Sequence, residues 1–75
     1  MTFGVYSVQD VVANKHVQLF TDDNDATAMR TFRRAMENVP NPRDIRLWRV
    51  GTWDIYKGVI THEYGDDYMV VEGDA

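Results

Sequence analysis

The sequence predicts an α+β fold in which one helix packs on one face of an antiparallel β-sheet, in the order β-β-α-β-β. Two segments with strand-like alternation precede a single stretch of helical periodicity, and two more follow it. Short turn-like segments separate the members of each pair, which is typical of β-hairpins. Because two hairpins give an antiparallel sheet and the helix has one apolar stripe, the stripe is expected to bury against one sheet face.

The first hairpin is predicted at the start of the chain. The segment FGVYSVQDVV is rich in β-branched and aromatic residues, with Val5 and Ser7 on one side and Tyr6 and Val8 on the other. The segment ANK suits a turn, and HVQLF then alternates again. These two strands are expected to pair with each other.

One helix is predicted between the acidic segment TDDND and Pro40. Side-chain oxygens from Asp23 to Asp25 suit the free N–H groups and the positive end of a helix, so the helix is expected to begin there. It is expected to end before Pro40, which lacks a backbone donor. Its inward stripe consists of apolar residues at helical spacing, namely Ala28, Phe32, Ala35, Met36 and Val39. The opposite face carries Arg30, Arg33, Arg34 and Glu37.

Two further strands and a candidate edge strand follow the helix. DIRLWRV alternates between two faces, with Ile45, Leu47 and Arg49 on one and Arg46, Trp48 and Val50 on the other. Turns are expected at Gly51, Asp54 and Gly58. VITHEY is the next predicted strand, and YMVV is a candidate fifth strand. The core is expected to contain Ala28, Phe32, Ala35, Met36 and Leu47.

The chain is expected to form one small soluble domain over residues 1–75, with residues 70–75 as a loose acidic tail. A chain of this length buries only about 60–65% of its unfolded surface, so its core is modest. It has no cysteine, which excludes disulfides and thiolate metal sites and suits a reducing cytoplasm. No apolar run reaches the length of about 18 residues that suggests a membrane span, and the N-terminus lacks the pattern of a signal peptide.

Catalytic chemistry is not predicted. His16 and His62 are isolated in the sequence, whereas a zinc site needs three or four ligands. Asp66 and Asp67 lie in a turn-like segment, where solvated carboxylates are usual. The chain contains no nucleophile elbow, phosphate loop or metal-binding repeat. We therefore expect a protein that is not an enzyme and that needs no metal or cofactor.

All arginines of this acidic protein lie in one short segment. From Arg30 to Arg49 the chain has six arginines against Glu37 and Asp44, which gives +4, although the whole chain carries −4. Residues 1–29 carry −3 and residues 50–75 carry −5. The arginines are expected to form one basic face on the helix and the next strand, available to DNA or to an acidic protein surface.

The same segment and the residues just after it supply aromatic side chains, so together they form a candidate nucleic-acid-binding site. Arginine makes bidentate contacts with phosphates, and unpaired bases stack on aromatic faces. The candidate residues are Arg30, Arg33, Arg34, Arg43, Arg46, Arg49, Trp48 and Trp53. Two simpler interpretations remain open, because a charged helix face needs mean only solubility and at least one tryptophan is expected in the core. The acidic ends favour weak, salt-sensitive binding.

The segments VYSVQD, DATAMRTFRRAM and NPRDIRLWRVGTWD occur in an order and at spacings that resemble a known family. This family is the small nonstructural protein of gokushovirus-type microviruses, which are small bacteriophages with circular single-stranded DNA. The resemblance covers roughly residues 3–60. It rests on an aromatic near the end of the second strand, an Asp-Ala helix start with a later Phe, the motif Pro-x-Asp-x-x-Leu and the turn Gly-x-aromatic-Asp. The matching positions are Phe20, Phe32, Pro42, Asp44, Leu47, Gly51, Trp53 and Asp54. The sequence departs from the pattern at Gln9, at Trp53 and in its acidic tail.

The resemblance implies a protein of the host bacterial cytoplasm that is absent from the virion. It implies a DNA-binding factor in the switch from double-stranded replication to single-stranded genome synthesis. The residues leave two functions open, a single-stranded DNA-binding module and an adaptor that docks on a viral or host replication or assembly protein through its arginines. A homodimer is also expected, because a small core and exposed sheet edges favour pairing.

Overall fold

The computed structural model describes residues 1–62 and 69–72, and these form one antiparallel sheet and one α-helix. The α+β class predicted from the sequence is confirmed. In chain order the elements are β1 (Thr2–Asp10), β2 (Lys15–Asp22), α1 (Asp25–Met36), a 3₁₀ turn (Pro42–Asp44), β3 (Ile45–Asp54), β4 (Val59–His62) and β5 (Met69–Glu72).

The strands are arranged in the order β2-β1-β3-β4, with β5 also paired to β3. β1 is central and pairs along its length with β2 on one side and with β3 on the other. β4 pairs with residues 51–54 of β3, and β5 pairs with residues 46–48 of the same strand. All of these pairings are antiparallel, so the described sheet has no crossover between parallel strands.

The helix covers one face of the sheet. The buried core there contains Tyr6 and Leu47 from the sheet and Ala28 and Phe32 from the helix. The ring of Phe20 in β2 lies with its centroid 5.5 Å from that of Tyr6. Partly buried apolar residues surround this core, namely Val8, Phe20, Met29, Met36 and Ile45.

The predicted core is correct for Ala28, Phe32 and Leu47 and wrong for Ala35, which is exposed. Met36 is only partly buried and packs at the margin of the core. The helix ends at Met36, about one turn before the end that was predicted just ahead of Pro40. Val39 therefore lies beyond the helix. Tyr6 was missed, because alternation alone does not indicate which side of β1 the helix covers.

The start of the helix follows the side-chain chemistry expected of an N-cap. Asn24 is the cap, and its Oδ1 accepts a hydrogen bond from the Thr27 backbone N–H at 2.9 Å. The Thr27 hydroxyl is in turn the acceptor for the Asn24 backbone N–H, at 3.3 Å. Two of the free N–H groups at the start of the helix are thereby satisfied.

The second hairpin turns later than predicted. Gly51 lies inside β3, paired with Val5 and His62, so the prediction of a turn at Gly51 is wrong. A β-carbon at Gly51 would lie 2.7 Å from the backbone oxygen of Thr61, so the close approach of β4 explains the glycine. The turn itself begins at Asp54, whose Oδ1 accepts the backbone N–H groups of the next loop, and it ends at Gly58 with φ of 66°.

Some predictions fall outside the described residues. The end of the predicted strand VITHEY, the acids Asp66 and Asp67, and Tyr68 belong to residues 63–68. Of the predicted tail, residues 70–72 belong to β5, and residues 73–75 lie outside the description.

Candidate nucleic-acid interface

The sheet face that points away from α1, here called the open face, is not covered by any helix among residues 1–62 and 69–72. It is defined by the β1 residues that alternate with Tyr6 and Val8, together with the register partners of those residues. These β1 residues are Phe3, Val5, Ser7 and Gln9. Their partners are His16, Leu19 and Thr21 in β2, and Arg46, Trp48, Gly51 and Trp53 in β3.

A β-bulge brings both tryptophans onto the open face. Residues 48 and 53 are an odd number apart, so strict alternation would place them on opposite faces. The register instead shifts by one residue, because Tyr6 pairs with Arg49 whereas Val5 pairs with Gly51, which leaves Val50 as the extra residue. Trp48 is therefore opposite Ser7, and Trp53 is opposite Phe3, on the same side of the sheet.

Trp48 is held in place by its neighbour on β1. Its indole N–H donates a 2.7 Å hydrogen bond to Oε1 of Gln9. The adjacent Ser7 is buried, with 5% of its surface exposed, and its hydroxyl lies 2.5 Å from Nδ1 of His16. Trp48 itself is half-buried, and the hydrogen bond to Gln9 fixes the polar edge of its ring.

Trp53 lies in an apolar part of the same face. Its register partners are Phe3 in β1 and Ile60 in β4. Trp53 and Phe3 are half-buried, and Ile60 is 62% exposed. Neither tryptophan is fully buried, contrary to the expectation that at least one is a core residue.

Charge is distributed unequally between the two faces of the sheet. The acidic residues Asp10, Asp22 and Asp54 of β1 to β3 occupy register positions on the helix side. On the open face, β1 to β4 place Arg46, His16 and His62 but no acidic residue. In β5, Glu72 is the register partner of Arg46.

The structure does not bring the six arginines together. Arg30, Arg33 and Arg34 are exposed on α1, across the sheet from Trp48. Arg43 is exposed in the 3₁₀ turn. Arg46 is half-buried on the open face, whereas Arg49 lies on the helix side. The expectation of one continuous basic face is therefore not met, since only Arg46 shares a face with the tryptophans.

The Arg49 side chain is bound by other residues of the fold. Its Nη1 donates to Oδ1 of Asp25 at 2.8 Å, and its Nη2 donates to the Thr52 hydroxyl at 3.0 Å. The guanidinium carbon also lies 5.9 Å from the centre of the Tyr6 ring. The arginine side chain is 19% exposed, so it joins the helix start to the sheet and offers little surface to a ligand.

The pKa values at this junction follow from the same contacts. Burial raises the pKa of the Asp25 carboxyl, but hydrogen bonds from Tyr6 and Arg49 and the charge of Arg49 outweigh burial, so the pKa is lowered overall. The pKa of the Tyr6 hydroxyl is raised by burial and by its hydrogen bond to Asp25. Asp25 therefore stays ionised and Tyr6 stays protonated near neutral pH.

Within residues 1–62 and 69–72, no group of three or more His, Cys, Asp or Glu side chains is placed to hold a metal ion. The helix in this part of the chain is also too short and too polar to cross a membrane. His16 and His62 are both exposed.

The fold and the open face define a small α+β protein with an aromatic sheet surface. The sequence matches the family described as Phage ORF5 protein over residues 3–73, and the chain belongs to this family. It is therefore a phage protein. No curated protein and no solved structure matches the chain significantly.

Sequence reasoning identified Trp48, Trp53 and Arg46 as candidates but missed the residues that complete their surface. Phe3 was predicted only as a strand residue, and Gln9 only as a strand residue that departs from the family pattern. The bulge at Val50 has no clear signal in the sequence, because a bulged residue need not be a glycine.

Proposed function

We propose that this phage protein is a non-catalytic single-stranded DNA-binding protein and that it binds DNA on the open face. The observation that carries the proposal is that Trp48 and Trp53 share this face with Arg46. Unpaired bases stack on aromatic side chains regardless of sequence, and an arginine beside them can contact the phosphate chain.

The hydrogen bond from Trp48 to Gln9 supports a stacking role. A fixed indole loses little side-chain freedom when a base stacks on it, so less entropy opposes binding. The polar edge of the ring is already satisfied by Oε1 of Gln9, so the proposed contact with a base is stacking on the ring rather than a hydrogen bond from its N–H. An extended antiparallel sheet also offers a surface long enough for more than one nucleotide.

The net charge of −4 opposes DNA binding at long range. The acidic residues of β1 to β3 lie on the helix side, so repulsion at the open face is weaker than the net charge suggests. The proposed binding is accordingly weak and salt-sensitive. With one or two phosphates neutralised, log affinity should fall with log salt at a slope of about −0.7 to −1.4.

The proposal extends to the setting that the sequence resemblance implies. In a gokushovirus-type microvirus, the ligand would be the single-stranded genome as it is made from the double-stranded replicative form. The protein would then act in the host bacterial cytoplasm and remain outside the virion. A sheet that binds bases only when they are unpaired suits this role.

The test is anisotropy of a fluorescein-labelled oligo-dT titrated with the protein at low salt. Replacing Trp48 or Trp53 with Ala should weaken binding about 5- to 150-fold, since a stacked base contributes roughly 1–3 kcal/mol. Tyr56→Ala is the matched control, because Tyr56 is 80% exposed in the turn between β3 and β4, outside the strands that form the open face. Circular dichroism should show that each variant is folded. An affinity that is insensitive to both tryptophans, or no binding at low salt, would contradict the proposal.

A second proposed function, a protein-interaction adaptor, is favoured by the arginines of α1. Arg30, Arg33 and Arg34 are exposed and form no ion pair with a residue of the described chain. They lie away from the open face, so they are available to carboxylates of a protein partner while DNA is bound. Affinity for oligo-dT that survives the loss of these arginines would separate the two roles.

A further inference from the structure

β2 is an outer strand of the sheet and lies beside α1. One of its edges pairs with β1, and the other edge has no partner among residues 1–62 and 69–72. Its Lys15–Asp22 span gives eight residues of edge. An unpaired edge presents backbone N–H and C=O groups that another extended chain can satisfy.

An apolar groove lies between this strand and the helix. Its volume is about 180 Å³. Its lining residues are Val8, Gln18, Phe20, Thr31, Phe32, Ala35 and Met36. An apolar cavity of about 150 Å³ holds a benzene molecule, so this groove is large enough for one leucine-sized side chain. The exposed Ala35 belongs to this lining. A larger residue at this position would therefore fill part of the groove.

A basic site adjoins the groove at Thr31. The second hollow is lined by Asp22, Thr27, Arg30, Thr31 and Arg34. Asp22 is already occupied, because its oxygens accept hydrogen bonds from Thr27 at 2.8 Å and from Thr31 at 3.3 Å. Its carboxylate offsets only one of the charges of Arg30 and Arg34, so this end of the groove keeps a net positive charge.

We propose that the β2 edge and the groove beside α1 bind an extended peptide with an apolar side chain and, two residues away, a carboxylate. The peptide adds to β2 as a further strand, and its alternate side chains point towards α1. The apolar side chain enters the groove between Phe20 and Ala35. The carboxylate then lies near Arg34 and Arg30, since successive side chains on one strand face are two residues apart.

This inference does not rest on DNA binding, because the groove lies on the helix side of the sheet and the proposed DNA surface lies on the other. Charge selects the occupant. The net positive charge at Arg30 and Arg34 favours a carboxylate, and the groove favours an apolar side chain two residues away. A second copy of the chain fits less well, because the residues with this spacing in its own β2 are engaged within its own fold. Phe20 stacks on Tyr6, and Asp22 accepts hydrogen bonds from Thr27 and Thr31.

The probes are two fluorescein-labelled heptapeptides, Ser-Thr-Glu-Thr-Leu-Thr-Ser and its reverse order, so that either strand direction is tested. At least one should bind, and its binding should shift the NMR amide signals of β2. Replacing Leu with Ala or Glu with Gln in the peptide should each weaken binding. On the protein, Ala35→Leu should reduce affinity about tenfold or more by filling the groove.

Matched variants separate the groove from general effects. Ala26→Leu makes the same change at another exposed helix position that lies outside the groove. Arg34→Glu should weaken binding, whereas Arg43→Glu, at an exposed arginine of the 3₁₀ turn, should not. Binding of neither peptide at millimolar concentration would overturn the proposal, as would binding unaffected by Ala35→Leu. Sedimentation showing a dimer whose β2 amides are protected, with no displacement by peptide, would assign the edge to a second copy instead.

Discussion

Arg49 binds Asp25 through a 2.8 Å hydrogen bond, and the same carboxylate oxygen accepts the Tyr6 hydroxyl at 2.6 Å. One carboxylate at the first turn of α1 thereby joins the helix to two adjacent strands. The arrangement also places a negative charge at the positive end of the helix. A side chain that sequence analysis assigned to DNA is thus explained by the fold.

The first prediction concerns the pH dependence of stability. The folded-state pKa of Asp25 is lowered, so its stabilisation is present above its unfolded pKa and is lost as pH falls through the folded value. Asp25→Asn should unfold at a lower temperature at neutral pH and should lose less further stability on acidification to about pH 3. Asp23→Asn is the control, because it makes the same chemical change at the exposed neighbouring residue and leaves the bonds of Asp25 to Tyr6 and Arg49 intact. Parallel profiles for Asp25→Asn and the wild type would contradict this account.

The second prediction concerns the helix–sheet core. Phe32 is 2% exposed and packs in the cluster that contains Tyr6 and Leu47. Phe32→Ala should cost about 3–5 kcal/mol of unfolding free energy, because it removes contacts and leaves a cavity. This approaches the whole stability of a domain of this size, roughly 4–11 kcal/mol. Thermal unfolding by circular dichroism should show a large loss for Phe32→Ala and little for Arg33→Ala, and an unchanged melting temperature would refute the packing.

The third prediction concerns Gly4. A β-carbon at this position would overlap the Tyr6 phenol, which crosses over Gly4 to reach Asp25. Gly4→Ala should force the ring to move and should destabilise the protein by about 1–3 kcal/mol, as overpacking does. Urea unfolding is the measurement, with Thr2→Ala, an exposed position on the same strand, as the control. Equal stability of the two variants would show that Tyr6 relaxes without cost.

The fourth prediction concerns the helix start. Asn24 caps α1 through its bond to the Thr27 N–H, so Asn24→Ala should cost about 0.5–2 kcal/mol. Asn38→Ala makes the same chemical change at an exposed residue beyond the helix end and should cost little. Chemical denaturation of both variants tests the difference, and similar losses would argue against the cap.

Local chemistry explains which features the sequence could predict. The helix start followed from the acids and Asn24, and the sheet followed from alternation in β1 and β3, because both signals depend on neighbouring residues. The end of the helix and the exposure of Ala35 depend on how α1 packs against β2. No local sequence pattern encodes this packing. The shared face of Trp48 and Trp53 depends on one bulged residue, and a shift of one residue reverses every side chain beyond it.

The last prediction asks which arginines contact DNA. Each phosphate contact contributes about −0.7 to the slope of log affinity against log salt for a single strand, so the slope counts contacts and is less affected by the overall charge. Arg46 shares the open face with Trp48, whereas Arg33 and Arg34 lie on α1 across the sheet. Arg46→Ala should therefore make the slope for oligo-dT shallower by about 0.7, and the double variant Arg33→Ala/Arg34→Ala should weaken binding slightly without changing the slope. Anisotropy titrations at several salt concentrations would measure both values. The opposite result, with a slope that depends on Arg33 and Arg34 alone, would move the DNA contact from the sheet to the helix.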